Sequence, residues 1–129
     1  GLEGWGKKEG VGIVVEDYSD LDKTFDKKAI KNQVELKLRL AGIKISKDFS
    51  FDSTVINMQP IIVGGKVVGY SFQVQAIRPM TFNLGGKEYV WSRAVCEDYG
   101  GVSPVDYRKR LDVALDQLLI NYLKANPKK

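Results

Sequence analysis

The chain has 129 residues, of which 43% are hydrophobic and 28% are charged, a composition typical of one folded domain and not of a disordered segment. Its 20 basic and 16 acidic side chains give a net charge of +4, which favours acidic partners only weakly. The single cysteine excludes an internal disulfide, and the lack of histidine excludes Ser-His and Cys-His catalysis together with histidine-based metal sites.

The N-terminal part of the chain predicts a flexible segment followed by a strand. We predict that residues 1–129 form a single domain and that residues 1–10 form a flexible N-terminal segment. Residues 11–18, VGIVVEDY, are rich in β-branched side chains and predict the first strand. Because the chain begins at Gly1, without a Met, either a leader has been removed or the chain has been trimmed, and we expect a secretory leader.

The segment that follows Asp26 fits two kinds of element. Apolar residues alternate with polar and charged ones, as in a strand, at Val34, Leu36, Leu38 and Leu40. The helical interpretation gives an apolar stripe at Ile30, Val34, Leu38 and Ala41, widened by Ala29, Leu36 and Leu40. Because helix formers dominate, and because Asp26 and Gly42 provide a start and a stop signal, we predict a helix.

From Thr54 onward the pattern predicts an antiparallel meander. Gly64-Gly65 and Gly85-Gly86 each separate two apolar runs, which is the signature of a two-residue β-hairpin. We expect Pro79 to interrupt the strand that follows the first hairpin. The apolar face of that strand is predicted at Tyr70, Phe72, Val74 and Ala76.

The C-terminal part predicts a last strand and a closing helix. Residues 90–96 are predicted to form the last strand, and residues 97–101 a turn. Ser103-Pro104 is predicted to open the helix, and Asn126-Pro127 to end it. The helical stripe is predicted at Leu111, Ala114, Leu115, Leu118, Tyr122 and Leu123. The resulting order, β-α-β-β-β-α, predicts an α+β two-layer sandwich, in which a mainly antiparallel sheet carries two helices on one face.

The last strand holds the candidate binding residues. Strict alternation puts Tyr89, Trp91 and Arg93 on one face, and the small residues Ala94 and Cys96 on the other. Because the small residues suit the helix-covered side, we predict that Tyr89, Trp91 and Arg93 lie on the open side, where they are candidates for binding a ligand or partner. The alternative is an aromatic pair that only stiffens the sheet. Cys96 is predicted to be a buried small hydrophobe.

The remaining polar motifs match no known catalytic, calcium-binding or phosphate-binding pattern. Glu16-Asp17 and Glu97-Asp98 are adjacent pairs that point to opposite faces of a strand, so neither forms a catalytic dyad alone. The aspartates of residues 17–26 lack the spacing of a calcium-binding loop, and the two Gly-Gly-Lys segments lack that of a phosphate-binding loop. We therefore predict no catalytic residue, no metal site and no cofactor, and we expect that the protein is not an enzyme.

Basic residues on both predicted helices raise nucleic-acid binding as an alternative function. They are Lys27, Lys28, Lys31, Lys37, Arg39, Arg108, Lys109 and Arg110. The α-β-β-β-α order of residues 26–129 also matches that of a double-stranded-RNA-binding domain. Acidic residues interrupt both basic groups and the excess of positive charge is small, so we expect nucleic acid to be an unlikely partner.

Three short stretches carry a family resemblance. Residues 38–42 read Leu-Arg-Leu-Ala-Gly, residues 91–92 read Trp-Ser, and residues 122–127 read Tyr-Leu-Lys-Ala-Asn-Pro. In this order the stretches resemble the pattern of a family of small, uncharacterised, exported bacterial proteins. The chain departs from that pattern at Arg93 and Glu97-Asp98, where a small, Gly-rich segment is expected. The resemblance implies an extracytoplasmic protein, periplasmic or secreted, and it implies no activity.

Together, the residues and the resemblance predict a non-catalytic binding module associated with the bacterial envelope. We expect its partner to be another envelope protein or a second copy of the chain, and we expect no transmembrane segment, because no apolar run is long enough. The binding surface is expected on the uncovered face of the sheet, around residues 70–76 or around Trp91.

Overall fold

The structure, a computed structural model, describes residues 1–47 and 52–128, and within the last strand it describes only the backbone of residues 91–93, 95 and 96. The elements in chain order are β1 (Gly12–Val15), α1 (Lys27–Leu40), β2 (Ser53–Val63), β3 (Lys66–Leu84), β4 (Lys87–Val102) and α2 (Tyr107–Ala125). The strands form one sheet in the order β1-β2-β3-β4, in which β1 is parallel to β2 and the other pairs are antiparallel. The predicted α+β class and element order are confirmed.

Helix α1 has the ends that the sequence predicts. The Asp26 side chain accepts a hydrogen bond from the backbone N–H of Ala29 at 2.9 Å and so caps the first turn. Gly42 adopts φ of +81°, and the N–H of Ile43 bonds back to the carbonyl of Leu38 at 3.0 Å, which closes the last turn. The buried stripe is narrower than predicted, because Leu36 and Leu40 are exposed.

Strands β2 and β3 bury the predicted apolar face. Tyr70, Phe72, Val74 and Ala76 all lie in the core, with Ile56 and Met58 of β2 beside them. The prediction that Pro79 interrupts this strand is wrong, since β3 continues through it to Leu84. The proline is tolerated because β2 pairs with β3 only as far as Ile77, which leaves Pro79 on a free edge that needs no donor on that side.

Strand β4 is longer than predicted, and α2 begins later. Residues 97–101 are not a turn, because they continue the strand and pair with residues 71–75 of β3. Helix α2 starts at Tyr107 and not at Ser103-Pro104, since the backbone remains in the sheet up to Val102. Ser103 instead donates a hydrogen bond to the Asp106 carboxylate at 2.9 Å, and the helix ends before Asn126, as predicted.

The core lies between the sheet and a layer formed by both helices. α2 buries five of its six predicted stripe residues, and only Leu123 is exposed. The two helices are joined by polar contacts, such as that of the Gln33 amide with the Asp112 carboxylate at 2.8 Å. In the part of the chain that the structure describes, neither helix combines the length and the hydropathy that crossing a bilayer requires.

Residues 1–10, predicted to be a flexible segment, pack against this core instead. Trp5 is fully buried and meets Tyr122 of α2 edge-on, with ring centroids 6.3 Å apart. The Trp5 indole N–H also donates to the carbonyl of Ile77 at 3.2 Å. Gly10 has to be glycine, because a Cβ there would come within 2.6 Å of the Lys44 carbonyl oxygen. The segment thus covers the sheet where β2 stops pairing with β3.

Candidate functional site

The feature that departs most from a plain two-layer fold is a projecting hairpin. Beyond Ile77, β3 pairs only with β4, and the two strands continue as a two-stranded ribbon to the Gly85-Gly86 turn. We call residues 78–93 the hairpin arm. All described side chains from Met80 to Val90 are exposed, so the arm extends away from the core. At about 3.3 Å per residue, the seven residues from Arg78 to Leu84 span about 20 Å.

Four large side chains form a continuous apolar surface on one side of the arm. Alternation along β3 puts Met80, Phe82 and Leu84 on the same side, and Tyr89 of β4 lies opposite Phe82. The rings of Phe82 and Tyr89 stack with centroids 5.5 Å apart and planes inclined by 21°. Each of the four side chains is more than two-fifths exposed. We call Met80, Phe82, Leu84 and Tyr89 the arm strip.

The arm strip lies on the helix-bearing side of the sheet, beyond the end of the helical layer. Arg78, two positions before Met80, points to this side, where its guanidinium donates to the carbonyl of Glu3 at 2.8 Å and faces the Asp52 carboxylate at 3.5 Å. Along β3, the same face therefore changes from covered side chains, ending at Ala76, to exposed ones. The arm strip is the part of the apolar face that no other described element covers.

The predicted site residues belong to this arm, but Tyr89 does not have the predicted orientation. Tyr89 was expected on the side opposite to the helices, whereas it lies on the helix side with Phe82. The reason is a bulge at the root of the arm. Ala76 pairs with Cys96 but Ile77 pairs with Ala94, so one residue of β4 has no partner and the alternation reverses there.

Trp91 and Arg93 are placed by their backbone alone. The register sets Trp91 opposite Met80 and Arg93 opposite Arg78, so both residues lie in the arm. Their side chains, and that of Cys96, lie outside the described residues, so the predicted roles of Trp91 and Arg93 and the predicted burial of Cys96 remain predictions. The other predicted binding surface is the open face around residues 70–76, and because Tyr70, Phe72, Val74 and Ala76 face the helices, that open face carries Ser71, Gln73 and Gln75.

Sequence reasoning missed Met80, Phe82 and Leu84 as site residues. The signal was present, because these three residues alternate up to the second double glycine and Tyr89 follows it at the matching position. The expectation that Pro79 breaks the strand separated them from the rest of β3 and hid the continuity.

A second candidate is a cleft of about 200 Å³ between α2 and β4. Its lining consists of an apolar floor and a polar rim, formed by Val74, Ala76, Glu97, Asp98, Ala114, Gln117, Leu118 and Asn121. Both carboxylates of the rim are already engaged. Asp98 receives two hydrogen bonds from the Arg110 guanidinium, each 2.9 Å long. Hydrogen bonds from Tyr99 and Gln75 lower the pKa of Glu97, so at neutral pH it is ionised and is no general acid.

The basic residues of the helices are partly used within the fold. Lys37 pairs with Asp116 at 2.7 Å, and Arg39 pairs with Glu35 at 2.9 Å. Arg110 is held by Asp98 and lies over the Phe72 ring, 4.7 Å from its centroid. These acidic neighbours reduce the positive potential of the helix surface that a nucleic acid would have to recognise.

The comparisons with known proteins add little to this geometry. No family model matches the chain, and no curated protein matches it. Among solved structures, the chain is similar to a minor lipoprotein from Acinetobacter baumannii, with 11% identity over 89% of this chain and 91% of that one and a TM-score of 0.30. It is also similar to the rare lipoprotein B from Shewanella oneidensis, with 9% identity over 85% and 86% and a TM-score of 0.25. Likenesses this distant establish neither fold nor function.

Proposed function

We propose that the protein is a non-catalytic binding module of the bacterial envelope, and that the arm strip is the surface that contacts its partner. The observation that carries the proposal is the exposure of four neighbouring large apolar side chains on a ribbon that projects from the core. Contiguous apolar surface is costly to leave in water and commonly marks an interaction site. The extracytoplasmic setting rests on the sequence resemblance alone.

The structure of the arm supports binding better than catalysis. Its side of the sheet offers aromatic and aliphatic groups, which supply contact area, and the stacked Phe82–Tyr89 pair provides a rigid centre. The cleft beside α2 is small for a substrate site, and its two carboxylates are held by ionic or hydrogen-bond partners.

The experiment is an affinity capture from a nuclease-treated bacterial envelope extract, with the wild-type chain and with Phe82→Ala as bait. Phe82 is 43% exposed, so its truncation removes contact area without opening a cavity in the core. We expect Phe82→Ala to lose a partner that the wild type retains. Nuclease treatment removes any protein that is held only through nucleic acid.

Leu36→Ala is the matched control, because Leu36 is 60% exposed on α1 and is not part of the arm. We expect this variant to capture the same partner as the wild type. A partner that is retained equally by all three baits would contradict the proposed role of the arm strip.

A further inference from the structure

Residues 97–102 of β4 form an outer edge of the sheet that lacks the usual protection. Their inner side pairs with residues 70–75 of β3, and no described strand pairs with their outer side. Edge strands are usually protected by lysine, by proline or by a bulge. This segment contains neither lysine nor proline, and the bulge near Ala94 lies before it. Its outer backbone groups can therefore pair with an added strand.

Gly100 and Gly101 lie within this edge, although the fold itself does not require glycine at either position. Neither residue has a positive φ. A Cβ at Gly100 would have the Arg110 guanidinium as its nearest neighbour, at 3.9 Å, and a Cβ at Gly101 would have the Tyr70 carbonyl oxygen, at 4.0 Å. Both are ordinary van der Waals distances. Glycine weakens the interior of a strand but allows another backbone to approach closely, as an added strand requires.

Two pockets with apolar walls lie along this edge, on the helix side of the sheet. The first is the cleft of about 200 Å³, which Ala114 and Leu118 of α2 line together with Asp98 of β4. The second has a volume of about 240 Å³ and is lined by Val113 of α2 and Val102 of β4. Asp98 and Val102 are four residues apart on one face of β4, so the pockets are about 13 Å apart. Side chains i and i+4 of an added strand have the same spacing.

The opposite side of this edge carries a negative charge that is not balanced. The Glu97 carboxylate accepts hydrogen bonds from the Gln75 amide, at 3.0 Å, and from the Tyr99 hydroxyl. Among the described residues, no cation forms an ion pair with it. On the helix side, by contrast, Arg110 neutralises Asp98. The open side of the edge therefore complements a basic side chain.

We propose that residues 97–102 are a docking site for an extended peptide segment of another protein, which pairs with the outer edge of β4 as a further strand. The segment has apolar side chains at positions i and i+4, which enter the two pockets, and basic side chains on its other face, beside Glu97. Backbone hydrogen bonds supply affinity in this mode of binding, and the pockets supply specificity. The site lies outside the arm, so the inference does not depend on the role proposed for the arm strip.

The test begins with a phage-displayed library of random decapeptides, selected on the immobilised wild-type chain. We expect enriched peptides to have two apolar residues four positions apart and basic residues at the alternating positions between them. The enriched peptides are then synthesised, and their dissociation constants are measured by calorimetry. A selection that enriches no peptide, or peptides without the apolar spacing, overturns the proposal.

Val113→Asp and Ile120→Asp form a matched pair of variants on α2. Val113 is 56% exposed and lines the second pocket, whereas Ile120 is 46% exposed and lines neither pocket. We expect Val113→Asp to weaken peptide binding about tenfold or more and Ile120→Asp to stay within about twofold of the wild type. Glu97→Lys should weaken the binding of basic peptides about threefold or more. Circular dichroism confirms that each variant is folded, and equal binding by all the variants contradicts the site.

Hydrogen exchange tests whether the peptide pairs as a strand. We expect the bound peptide to slow amide exchange within residues 97–102, and we expect N-methylation of alternate peptide residues to abolish binding, because it removes backbone donors. Unchanged exchange in this segment overturns the proposal. If the wild type dimerises in sedimentation equilibrium and Val113→Asp abolishes the dimer, the edge pairs with a second copy and the proposal is also wrong.

Phe82→Ala separates this inference from the proposed function. We expect peptides that dock on residues 97–102 to bind Phe82→Ala as tightly as the wild type. Peptides that Phe82→Ala loses and Val113→Asp retains bind the arm, which overturns the docking site and supports the role of the arm strip. If the envelope capture is insensitive to Phe82→Ala but the peptides require Val113, the docking site stands and the role of the arm strip is excluded.

Discussion

The two halves of β3 follow the same alternating pattern and reach opposite environments. In the first half, Phe72 is 1% exposed beneath α2, and in the second half, Phe82 is 43% exposed on the arm. Both lie on the helix side of the same strand. Alternation in a sequence therefore predicts which face a side chain occupies, but the length of the covering layer decides whether that side chain becomes core or surface.

The largest difference between the two regions is expected from the same substitution at the two phenylalanines. Phe72→Ala removes a fully buried ring and the surface on which Arg110 rests, so it should lower the free energy of unfolding by about 3–5 kcal/mol. Phe82→Ala should lower it by less than about 1 kcal/mol, because the ring is only partly covered. Denaturant titration of both variants measures this difference, and similar losses would contradict the division into core and arm.

Removing a tyrosine hydroxyl should also cost more stability in the core, at Tyr70, than on the arm, at Tyr89. The Tyr70 hydroxyl donates to the buried Asp22 carboxylate at 2.6 Å, so Tyr70→Phe leaves that carboxylate with one donor fewer. We expect this variant to lose about 1–3 kcal/mol of stability. Tyr89→Phe is the control on the arm, and it should stay within about 0.5 kcal/mol of the wild type. Thermal or denaturant unfolding at neutral pH provides the comparison.

The same buried pair predicts a pH dependence whose sign can be worked out for each group. Burial and the hydrogen bond to Asp22 raise the pKa of Tyr70 to about 12, so its contribution is complete below pH 10 and is lost as the pH rises through 12. The pKa of Asp22 is lowered, because burial, which raises it, is outweighed by the hydrogen bonds that Asp22 accepts from Thr24 and Tyr70. The contribution of Asp22 to stability is therefore lost as the pH falls below 4. In Tyr70→Phe, the loss above pH 10 should be smaller when unfolding is followed across this range.

Local signals in the sequence predicted most of the fold, because they act over a few residues. Asp26, Gly42 and the two double glycines each fix a helix end or a hairpin turn through their own backbone preferences. The errors arose where a distant part of the chain decides. Pro79 can lie within a strand because β2 begins at Ser53, opposite Ile77, and therefore does not pair with β3 beyond that point. Residues 97–101 remain extended because β3 pairs with them.

The candidate site was predicted only in part for the same reason. Tyr89 was identified, but the bulge near Ala94 reversed its face, and a bulge cannot be located from alternation alone. Trp5 was assigned to a flexible segment, since nothing near it in the sequence indicates that Tyr122 and Ile77 lie beside its ring. Exposure of the arm strip depends on where the helical layer stops, which is a property of the whole fold.

Turn glycines offer a smaller test of how tightly each region is coupled to global stability. Gly42 and Gly86 both have φ of +81°, with open space around them, so alanine at either position costs about 1–2 kcal/mol of local strain. Gly42→Ala should reduce global stability by that amount, because α1 is part of the core. In Gly86→Ala, we expect faster hydrogen exchange along the arm and a smaller change in global unfolding. If both substitutions lower the free energy of global unfolding equally, the arm unfolds together with the core.

The smallest expected effect is the coupling between Phe82 and Tyr89 within the arm. Their rings stack across the two strands, and such pairs contribute about 0.5–1 kcal/mol beyond their separate contributions. A double-mutant cycle with Phe82→Ala, Tyr89→Ala and the combined variant isolates this coupling, provided that the chain is dilute enough to be monomeric. If the coupling grows with protein concentration, the pair is stabilised by a second copy. If it remains near 0.5–1 kcal/mol at every concentration, the stack belongs to the arm alone.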